Sequence, residues 1–426
     1  MKNLILYIVL LGLIVNPITA QNMLSLYKSG PITLVPVAEY GAKNNWDELF
    51  DLYNITEGFT YNQREENKRI VVAPDGSVFM SHKNRYEIWK FGPDGNFIKS
   101  FGSKGGKYSQ FQYYPSIQPV VNGKYIFTSD SNGRLKFFDL DGNYVKSINL
   151  DYMPQSFQIV GQNQIRISAT ALWARSFRYF VADIDFDDDE EKIIYDYFMD
   201  LGSSFADENN IDSLINTQKQ HFQLMEVPSR DELILFPGGG FARTSRISGK
   251  LISMDSNGRT ITDTKLDIQR VRISEEDVSE NYEKMKRDLV THREAILTSK
   301  NSDPSQMVLV TINQTLSAIE AYKDIENYDP YLPYYSNIIV DDQDNMLVFE
   351  FTERDAENDN IFDVVAYNSN GETVARTSFI SDEYELNISA NTFVISGGYL
   401  YAVAKLKNYD GMPLRLVKFR MVPANE

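Results

Sequence analysis

The feature that most constrains the fold of this sequence is an internal repeat of short alternating strands and tight turns. Residues 71–102 and 121–149 each contain a turn, an alternating strand, a polar loop, a second alternating strand, an Asp-Gly-Asn turn and an outer strand. The Asp94-Gly95 and Asp141-Gly142 dipeptides suit the positive φ angles that tight hairpins require. Repeats of four short strands are typical of β-propellers, in which each unit forms one blade.

The unit recurs with greater divergence in four later segments, residues 163–198, 231–266, 344–380 and 397–421. The last copy ends without an outer strand, whereas residues 32–37 form an apolar segment that has no partner before the first copy. A strand that supplies the missing edge would close a ring of blades. We therefore predict an all-β, six-bladed β-propeller over residues 31–426. We expect its N-terminal strand, residues 33–37, to pair with the strand containing Leu414, Leu416 and Lys418.

Residues 274–325, between the predicted fourth and fifth blades, have a helical pattern. Ser274 is a candidate N-cap, and Glu275, Glu276 and Asp277 suit the positive end of a helix dipole. Asp303 and Pro304 are a candidate cap and first residue of a second helix. We predict a helical hairpin packed over the ring, with a coiled-coil partner surface as the alternative. The apolar positions are Val278, Tyr282, Met285 and Leu289 in the first helix and Ile312, Leu316 and Ile319 in the second.

A resemblance to NHL-repeat blades is visible in two segments, EIWKFGPDGNFIKSFGSKGGKYSQF and IFTSDSNGRLKFFDLDGNYVKSI. Such blades combine an Asp-containing strand end, a Phe-Asp turn closed by glycine, and a glycine-rich link to the next blade. The chain as a whole resembles exported six-bladed propeller proteins of Bacteroidetes, within the NHL-like or TolB-like propeller superfamily. The resemblance is good over residues 69–150, fair over 335–421 and weak between them. It implies a fold rather than a chemistry, because propellers include both enzymes and binding proteins.

The first 20 residues are predicted to be a signal peptide that is cleaved between Ala20 and Gln21. Lys2 supplies the positive start, and the apolar run of residues 4–15 ends before Pro17. That run is too short to cross a bilayer, which needs about 20 residues. The sequence contains no cysteine, which excludes disulfides and an acylated N-terminal cysteine. We expect the mature chain to be secreted or periplasmic, without a membrane span.

The formal net charge of -17 narrows the range of partners. Nucleic acid and anionic membrane surfaces are bound through positive charge, so neither is an expected partner. Aromatic residues make up 13% of the chain. They suit β-strands, and they also suit surfaces that stack on sugars or peptides.

Basic and aromatic residues are predicted to gather on one face of the ring. The loops between the second and third strands of each blade and the links between blades share that face. Guanidinium groups offer forked donors to carboxylates, and aromatic rings offer stacking area. The alternative is that a repeat places turn residues on one face whatever the function. The predicted ligand-binding residues are His82, Arg85, Trp173, Arg175, Arg243, Tyr331, Tyr334 and Tyr335, and the Gly238-Gly239-Gly240 segment is expected on the same face.

Motifs for catalysis or metal binding are not recognised, so no catalytic residue, metal ligand or cofactor is assigned. The three histidines, His82, His221 and His292, lack metal-ligand spacing. The triple glycine lacks the Lys-Ser/Thr of a phosphate loop and is interpreted as a tight turn. Acidic runs at residues 341–345 and 185–191 could bind calcium, but neither has the glycine and terminal glutamate of an EF-hand loop. Hairpin turns explain both runs better.

These observations favour an exported binding or scaffold protein that recognises a glycan, a peptide or a protein. The alternative is a carbohydrate-active enzyme, a lyase or a lactonase, acting on an acidic sugar. A lyase would need a base such as His82 and arginines to neutralise the carboxylate. A lactonase would need a divalent metal held by Glu, Asp and Asn, and no such trio can be placed. A third interpretation is a purely structural envelope protein.

Overall fold

The structure is a computed structural model that describes a large part of the chain. The predicted signal peptide, Arg85, Arg175, and the predicted Asp303-Pro304 cap lie outside the described residues. Those residues are 22–42, 70–82, 86–112, 116–121, 123–129, 133–152, 154–161, 163–173, 176–200, 232–298, 313, 316, 319, 323–351, 361–386, 388, 392–407 and 414–424.

Most of the described part of the chain is β-structure arranged as meanders, each a run of antiparallel strands in which neighbours pair. The first meander contains β2 (Ile70–Val72), β3 (Val78–His82), β4 (Glu87–Phe91) and β5 (Phe97–Phe101). The second contains β6 (Ser116–Val121), β7 (Tyr125–Ser129), β8 (Arg134–Asp139) and β9 (Tyr144–Asn149). The third contains β10 (Pro154–Val160), β11 (Gln164–Trp173), β12 (Ser176–Asp185) and β13 (Glu191–Asp200). The fourth contains β14 (Glu232–Leu235), β15 (Phe241–Thr244), β16 (Lys250–Met254) and β17 (Thr260–Lys265).

A nine-stranded sheet holds the remaining two meanders. The fifth meander contains β18 (Asn337–Val340), β19 (Met346–Phe349), β20 (Ile361–Tyr367) and β21 (Thr373–Ile380). The sixth contains β23 (Phe393–Ser396), β24 (Tyr399–Leu406), β25 (Leu414–Pro423) and the N-terminal strand β1 (Ile32–Tyr40), and β22 (Tyr384–Leu386) also pairs with β24. Helical elements that the described residues define from end to end are α1 (Met23–Tyr27), α2 (Glu275–Thr298) and a 3-10 turn, Ile325–Asn327.

The predicted pairing of the two ends of the chain is confirmed. β1 runs antiparallel to β25, with Ala38 opposite Lys418 and Tyr40 opposite Leu416. β1 also makes a short parallel pairing with β21, where Ile32 lies opposite Phe379, and this pairing joins the fifth and sixth meanders into one sheet. The N-terminal strand therefore supplies the outer edge that the last repeat lacks.

The turns that end the third strands explain part of the repeat pattern. The Asp139 carboxylate accepts hydrogen bonds from the N–H groups of Asp141 and Asn143, and Gly142 follows with a φ of +79°. The Asp255 carboxylate makes the equivalent contacts in the fourth meander. Such Asx turns satisfy backbone donors within the tip of a hairpin, which explains the Asp-x-x-Gly spacing that these two turns share.

Apolar clusters lie between successive meanders and form the core. Each meander shares one cluster with the next, and the sixth shares one with the first. This circuit, with small sheets packed face to face, is consistent with a β-propeller. Representative pairs from the first-to-second contact through to the sixth-to-first contact are Phe79 with Ile126, Phe127 with Phe157, Tyr179 with Leu233, Leu251 with Tyr367, Phe349 with Phe393, and Trp89 with Tyr401.

Hydrogen bonds to hairpin turns also join neighbouring meanders. Lys90 of the first meander donates to the Leu140 carbonyl in a turn of the second, at 2.8 Å. Arg166 of the third meander donates to the Ser256 carbonyl in a turn of the fourth, at 2.9 Å. At the closure, the Gly41 N–H donates to the Gly95 carbonyl, at 2.6 Å. Carbonyl groups in the hairpin turns of one meander thus accept hydrogen bonds from the neighbouring meander at several places around the ring.

Helix α2 begins where the sequence predicts it. The Ser274 hydroxyl accepts from the Asp277 N–H at 3.1 Å, and the Asp277 carboxylate accepts from the Ser274 N–H at 2.9 Å, which is a reciprocal cap. Tyr282 and Met285 are buried against Ile319 in a small cluster of their own. The described helical residues therefore pack on each other.

Candidate functional site

A central cavity lies where the six meanders meet. Its volume is about 420 Å³, and its lining comes from the innermost strand of every meander: β2, β6, β10, β14, β18 and β23. β6 lies beside β2 and β10, β10 lies beside β14, and β23 lies beside β2 and β18. Cavities of roughly 300–1,000 Å³ are the usual size for small-molecule sites, which makes this the candidate functional site.

The innermost strands turn a backbone edge toward this cavity. In the described sheets β2 pairs with β3 alone, and β14 pairs with β15 alone; the other innermost strands are paired in the same one-sided way. The second edge of such a strand carries N–H and C=O groups that point away from its sheet. A ligand in the cavity would meet these backbone groups together with half-buried aliphatic side chains such as Val72, Ile234 and Val394.

The two ends of the cavity differ. We call the end that carries the first hairpin turn of each meander the turn end, and the opposite end, where the innermost strands begin, the loop end. At the turn end the Asp344 carboxylate accepts from the Gly238 N–H at 2.7 Å, and the Asp342 carboxylate accepts from the Gly397 N–H at 2.6 Å. Aspartates of one turn therefore connect the first turns of the fourth, fifth and sixth meanders.

The triple glycine belongs to the turn end, which corrects the face predicted for it. Residues 236–240 connect β14 to β15, so they correspond to the first hairpin turn and not to the following loop. Gly239 has a φ of +91°, and a Cβ on Gly238 would collide with the Asp344 carboxylate. The interpretation as a tight turn is confirmed, and close approach of Asp344 explains the glycine at position 238.

Helix α1 covers part of the turn end. The Tyr27 hydroxyl donates to Asp341 at 2.9 Å, and the Met23 N–H donates to the Gln343 side chain at 3.1 Å. Burial raises the pKa of the Asp341 carboxyl, and burial together with the charge of Asp341 raises the pKa of Tyr27. The segment that precedes the closing strand is therefore fixed to the turn of the fifth meander.

The loop end contains the predicted ligand-binding residues only in part. His82 is the last residue of β3 and Trp173 is the last residue of β11, so both backbones reach this end, although their side chains are not described. Arg85 and Arg175 follow in loops outside the described residues. The structure thus agrees with the placement of two strand ends and leaves the side chains of these four residues as predictions.

Arg243 lies inside strand β15, where the sequence suggested a loop position. Its guanidinium carbon lies 3.8 Å from the ring centroid of Tyr197, and its Nη1 donates to the Tyr195 hydroxyl at 3.0 Å. Both tyrosines belong to β13, the outer strand of the third meander. Arg243 therefore joins two neighbouring sheets, and its part in ligand binding stays a prediction.

Tyr331, Tyr334 and Tyr335 lie in the link that precedes β18, but only one ring is exposed. Tyr331 is 46% exposed, whereas Tyr334 and Tyr335 are buried in the cluster between the fourth and fifth meanders. Buried rings offer no stacking surface, which corrects the expectation of an exposed tyrosine cluster. Arg270 lies 5.4 Å from the Tyr331 ring and donates to the carbonyl of Leu332 at 2.7 Å, so this arginine shapes the link.

Sequence reasoning missed a half-buried pair of charged side chains at the first residue of β14. Arg246 donates to the Glu232 carboxylate at 2.6 Å, and the Tyr335 hydroxyl lies 3.4 Å from the same carboxylate. Burial raises the pKa of Glu232, and burial together with the charge of Glu232 raises the pKa of Tyr335. Glutamate at the start of an apolar strand was the available signal, but its partners are distant in sequence.

Both acidic runs form hairpin turns, as the sequence suggested. Residues 341–345 connect β18 to β19, and residues 186–190 connect β12 to β13. Among the described residues, no group of three or more His, Asp or Glu side chains is arranged to hold a metal ion. Within the same part of the chain, no helix is long and apolar enough to cross a membrane.

Comparison with known proteins shows only distant structural likenesses. No family model matches the sequence, and no curated protein matches it. A Bacteroides fragilis protein described as exported has 11% identity and a TM-score of 0.43, over 82% of this chain and 88% of that one. The calcium-binding protein regucalcin from Agrobacterium tumefaciens has 7% identity and a TM-score of 0.38, over 83% and 90%. An inactive virginiamycin B lyase from Staphylococcus aureus, with quinupristin, has 9% identity and a TM-score of 0.38, over 83% and 80%.

All three TM-scores are below 0.5, so neither activity nor ligand is transferred from these proteins to this chain. The strand pairings and the apolar clusters between meanders are the features that support the fold.

Proposed function

We propose that this chain is an exported six-bladed β-propeller that binds a glycan, a peptide or a protein partner at the loop end of its central cavity. Six successive meanders, the sixth completed by β1, support the blade count. The predicted signal peptide supports export. The observation that carries the binding proposal is the cavity itself, lined by the innermost strand of all six meanders.

Two features favour the loop end as the recognition surface. The links between meanders lie at this end, and β3 and β11 end there. The links are irregular segments, which can differ between blades without disturbing the sheets. It also presents the exposed ring of Tyr331 beside the Arg270 guanidinium. Exposed rings held in place by cations are suited to stacking on a sugar or a peptide.

The test is a binding screen of the mature chain, residues 21–426, on glycan and peptide arrays, combined with metal analysis of the purified protein. Against the selected ligand, Tyr331→Ala and Arg175→Ala should each weaken binding by roughly 1–3 kcal/mol. Phe198→Ala is the control, because this ring is 53% exposed on the outer strand β13, away from the cavity. No ligand on either array, or equal affinity in all three variants, would contradict the proposal. A stoichiometric divalent metal would instead favour the lactonase alternative.

A further inference from the structure

Among the described residues that line the central cavity, the charged side chains are all of one sign. They are Asp341 and Asp342, and both lie at the turn end. The other described lining residues are apolar or neutral, and none of them is Lys, Arg or His. Over its described lining the cavity is therefore acidic at one end and uncharged elsewhere, whereas the sequence pattern suggested an anionic ligand.

Asp342 is the better placed of the two carboxylates to meet a ligand. Asp341 is only 1% exposed, and it already accepts from Tyr27, from the Asn345 side chain and from two backbone N–H groups. Asp342 is exposed, and it accepts from the Gly397 N–H. Because a carboxylate has about four lone-pair positions, Asp342 has capacity for a further donor.

The remainder of the cavity suits an uncharged, apolar molecule. Aliphatic side chains from four meanders, among them Val72, Ile234, Val340 and Val394, are half-buried along its wall. Gln158 and Ser396 are neutral polar groups in the same lining. Contact with these aliphatic groups would remove apolar ligand surface from water.

We propose that the turn end of the central cavity is a binding site for a small molecule with an apolar body and one ammonium group that pairs with Asp342. The ammonium has three donors and no acceptor, so it complements a carboxylate and neighbouring turn carbonyls. A carboxylate ligand of the same shape would meet like charge from Asp342 and is disfavoured. This site lies at the opposite end of the same cavity from the proposed recognition surface, so a ligand could bind here even if the loop end binds none.

The experiment compares three probes that share one apolar body: 2-phenylethylamine, 2-phenylethanol and 3-phenylpropanoate. Their dissociation constants for the mature chain are measured by titration calorimetry and ligand-observed NMR in low-salt buffer at neutral pH. The amine should bind about tenfold tighter than the carboxylate, with the alcohol between them, and added salt should narrow the difference. Equal binding of amine and carboxylate, or no binding of the amine, would overturn the proposal.

Two variants locate the site. Asp342→Asn keeps an acceptor for Gly397 and removes the charge, so the amine should lose its advantage over the alcohol. Asp263→Asn is the matched control, because Asp263 is an exposed aspartate of β17 that pairs with Lys250 at 3.2 Å. An unchanged preference in Asp342→Asn, or the same loss in the control, would place the binding elsewhere.

A cavity-filling variant provides a second readout that does not depend on charge. Ile234→Trp should abolish binding of all three probes while the melting temperature shows that the protein is folded. If this variant does not fold, Val394→Phe replaces it on the sixth meander. Undiminished amine binding in a folded, filled variant would show that the probe binds outside the cavity.

Discussion

Individual side chains connect the sheets of this protein through pairs that are far apart in sequence. Arg166 is 2% exposed, and it forms a bidentate pair with Asp183, at 2.6 and 2.7 Å, inside the third meander. The same guanidinium donates to the carbonyls of Gly239 and Ser256 in the fourth meander. A planar fork with five donors can serve all these acceptors together, which a lysine could not do.

Glycines with the same φ should tolerate substitution differently according to the space around them. Gly133 has a φ of +71°, and a Cβ there would lie 2.5 Å from the Tyr152 carbonyl oxygen and 2.7 Å from that of Leu150. Gly161 has a φ of +72° with nothing within 4 Å of the Cβ position. Gly161→Ala should therefore cost only the backbone strain, about 1–2 kcal/mol.

Gly133→Ala should cost about 3 kcal/mol or more, because backbone atoms cannot rotate away from a new methyl group as a side chain could. Urea denaturation of the two variants measures both free energies of unfolding. Equal losses would show that φ strain alone governs these turns.

Prediction from sequence was least successful at this scale. Arg243 and Tyr335 were selected because basic and aromatic residues are suited to ligand contacts, yet both contact other parts of the protein. Composition describes what a side chain can do and not where a twisted sheet places it. The Glu232–Arg246 pair was missed for a related reason, since a contact between residues of different strands depends on sheet register.

At the scale of whole elements, the closing strand β1 is the one whose loss should matter most. It buries Ile32, Leu34 and Tyr40 and pairs with β25 along most of its length. Leu34→Ala should destabilise the protein by about 2–5 kcal/mol, because the side chain lies in the core between the fifth and sixth meanders. Val37→Ala is the control, since Val37 is 47% exposed and should change stability by less than about 0.5 kcal/mol.

Thermal and urea unfolding of these two variants, and of a chain that begins at Gly41, test the role of the strand. A truncated chain that melts at the same temperature as the mature protein would show that β1 does not close the ring.

The helical insertion should be dispensable for the sheets. Tyr282, Met285 and Ile319 form their own small cluster, and the flanking strand-like segments are held together by a hydrogen bond from the Leu332 N–H to the Val271 carbonyl at 2.9 Å. Replacing residues 274–325 with a short Gly/Ser linker should leave a folded β protein with a cooperative transition. Circular dichroism and melting curves measure this, and global unfolding would show instead that the helices complete the core.

Elements were predicted better than side chains because their signals are local. The Asp-Gly turns, the alternating strands and the Ser274 cap are each encoded within a few residues. The partner of β1 could also be inferred, because the last repeat has no outer strand and the apolar segment 32–37 belongs to no repeat. By contrast, the three glycines of the fourth repeat are predicted at its second turn, whereas they form its first turn. Three glycines in place of Asp-Gly made that first turn hard to recognise.

For the molecule as a whole, closure by a shared strand is a testable property of the ring. The Ala424 N–H donates to the Pro31 carbonyl at 2.8 Å, so the described ends of the chain are adjacent. Two circular permutants can be used to compare a ring closed by a shared strand with a ring closed only by contacts between sheets. Each joins residue 424 to residue 22 through a Gly/Ser linker. One opens at the turn between Asp187 and Asp188, which makes β13 a new N-terminal closing strand. The other opens before Glu232, so no strand is shared across the break.

The first permutant should have the higher melting temperature. Its ends are joined by the ladder between β12 and β13, whereas the second depends on side-chain contacts such as Arg166 with Ser256. Calorimetry of both, with the mature chain as reference, measures the difference. Equal melting temperatures would show that the pairing of terminal strands adds nothing to ring stability.

The position of β1 also determines when the ring can close during folding. Synthesis from the N-terminus produces β1 first and β25 last, and contacts between such distant segments form slowly because the closure of a long loop is entropically unfavourable. Hairpins within each meander can form early, but the edge of β1 stays unpaired until β25 has been synthesised. We expect a chain ending at residue 407 to stay sensitive to protease and prone to aggregation, whereas the full chain becomes resistant soon after release. Completion of the chain, rather than any single sheet, would then be the event that commits the protein to its folded state.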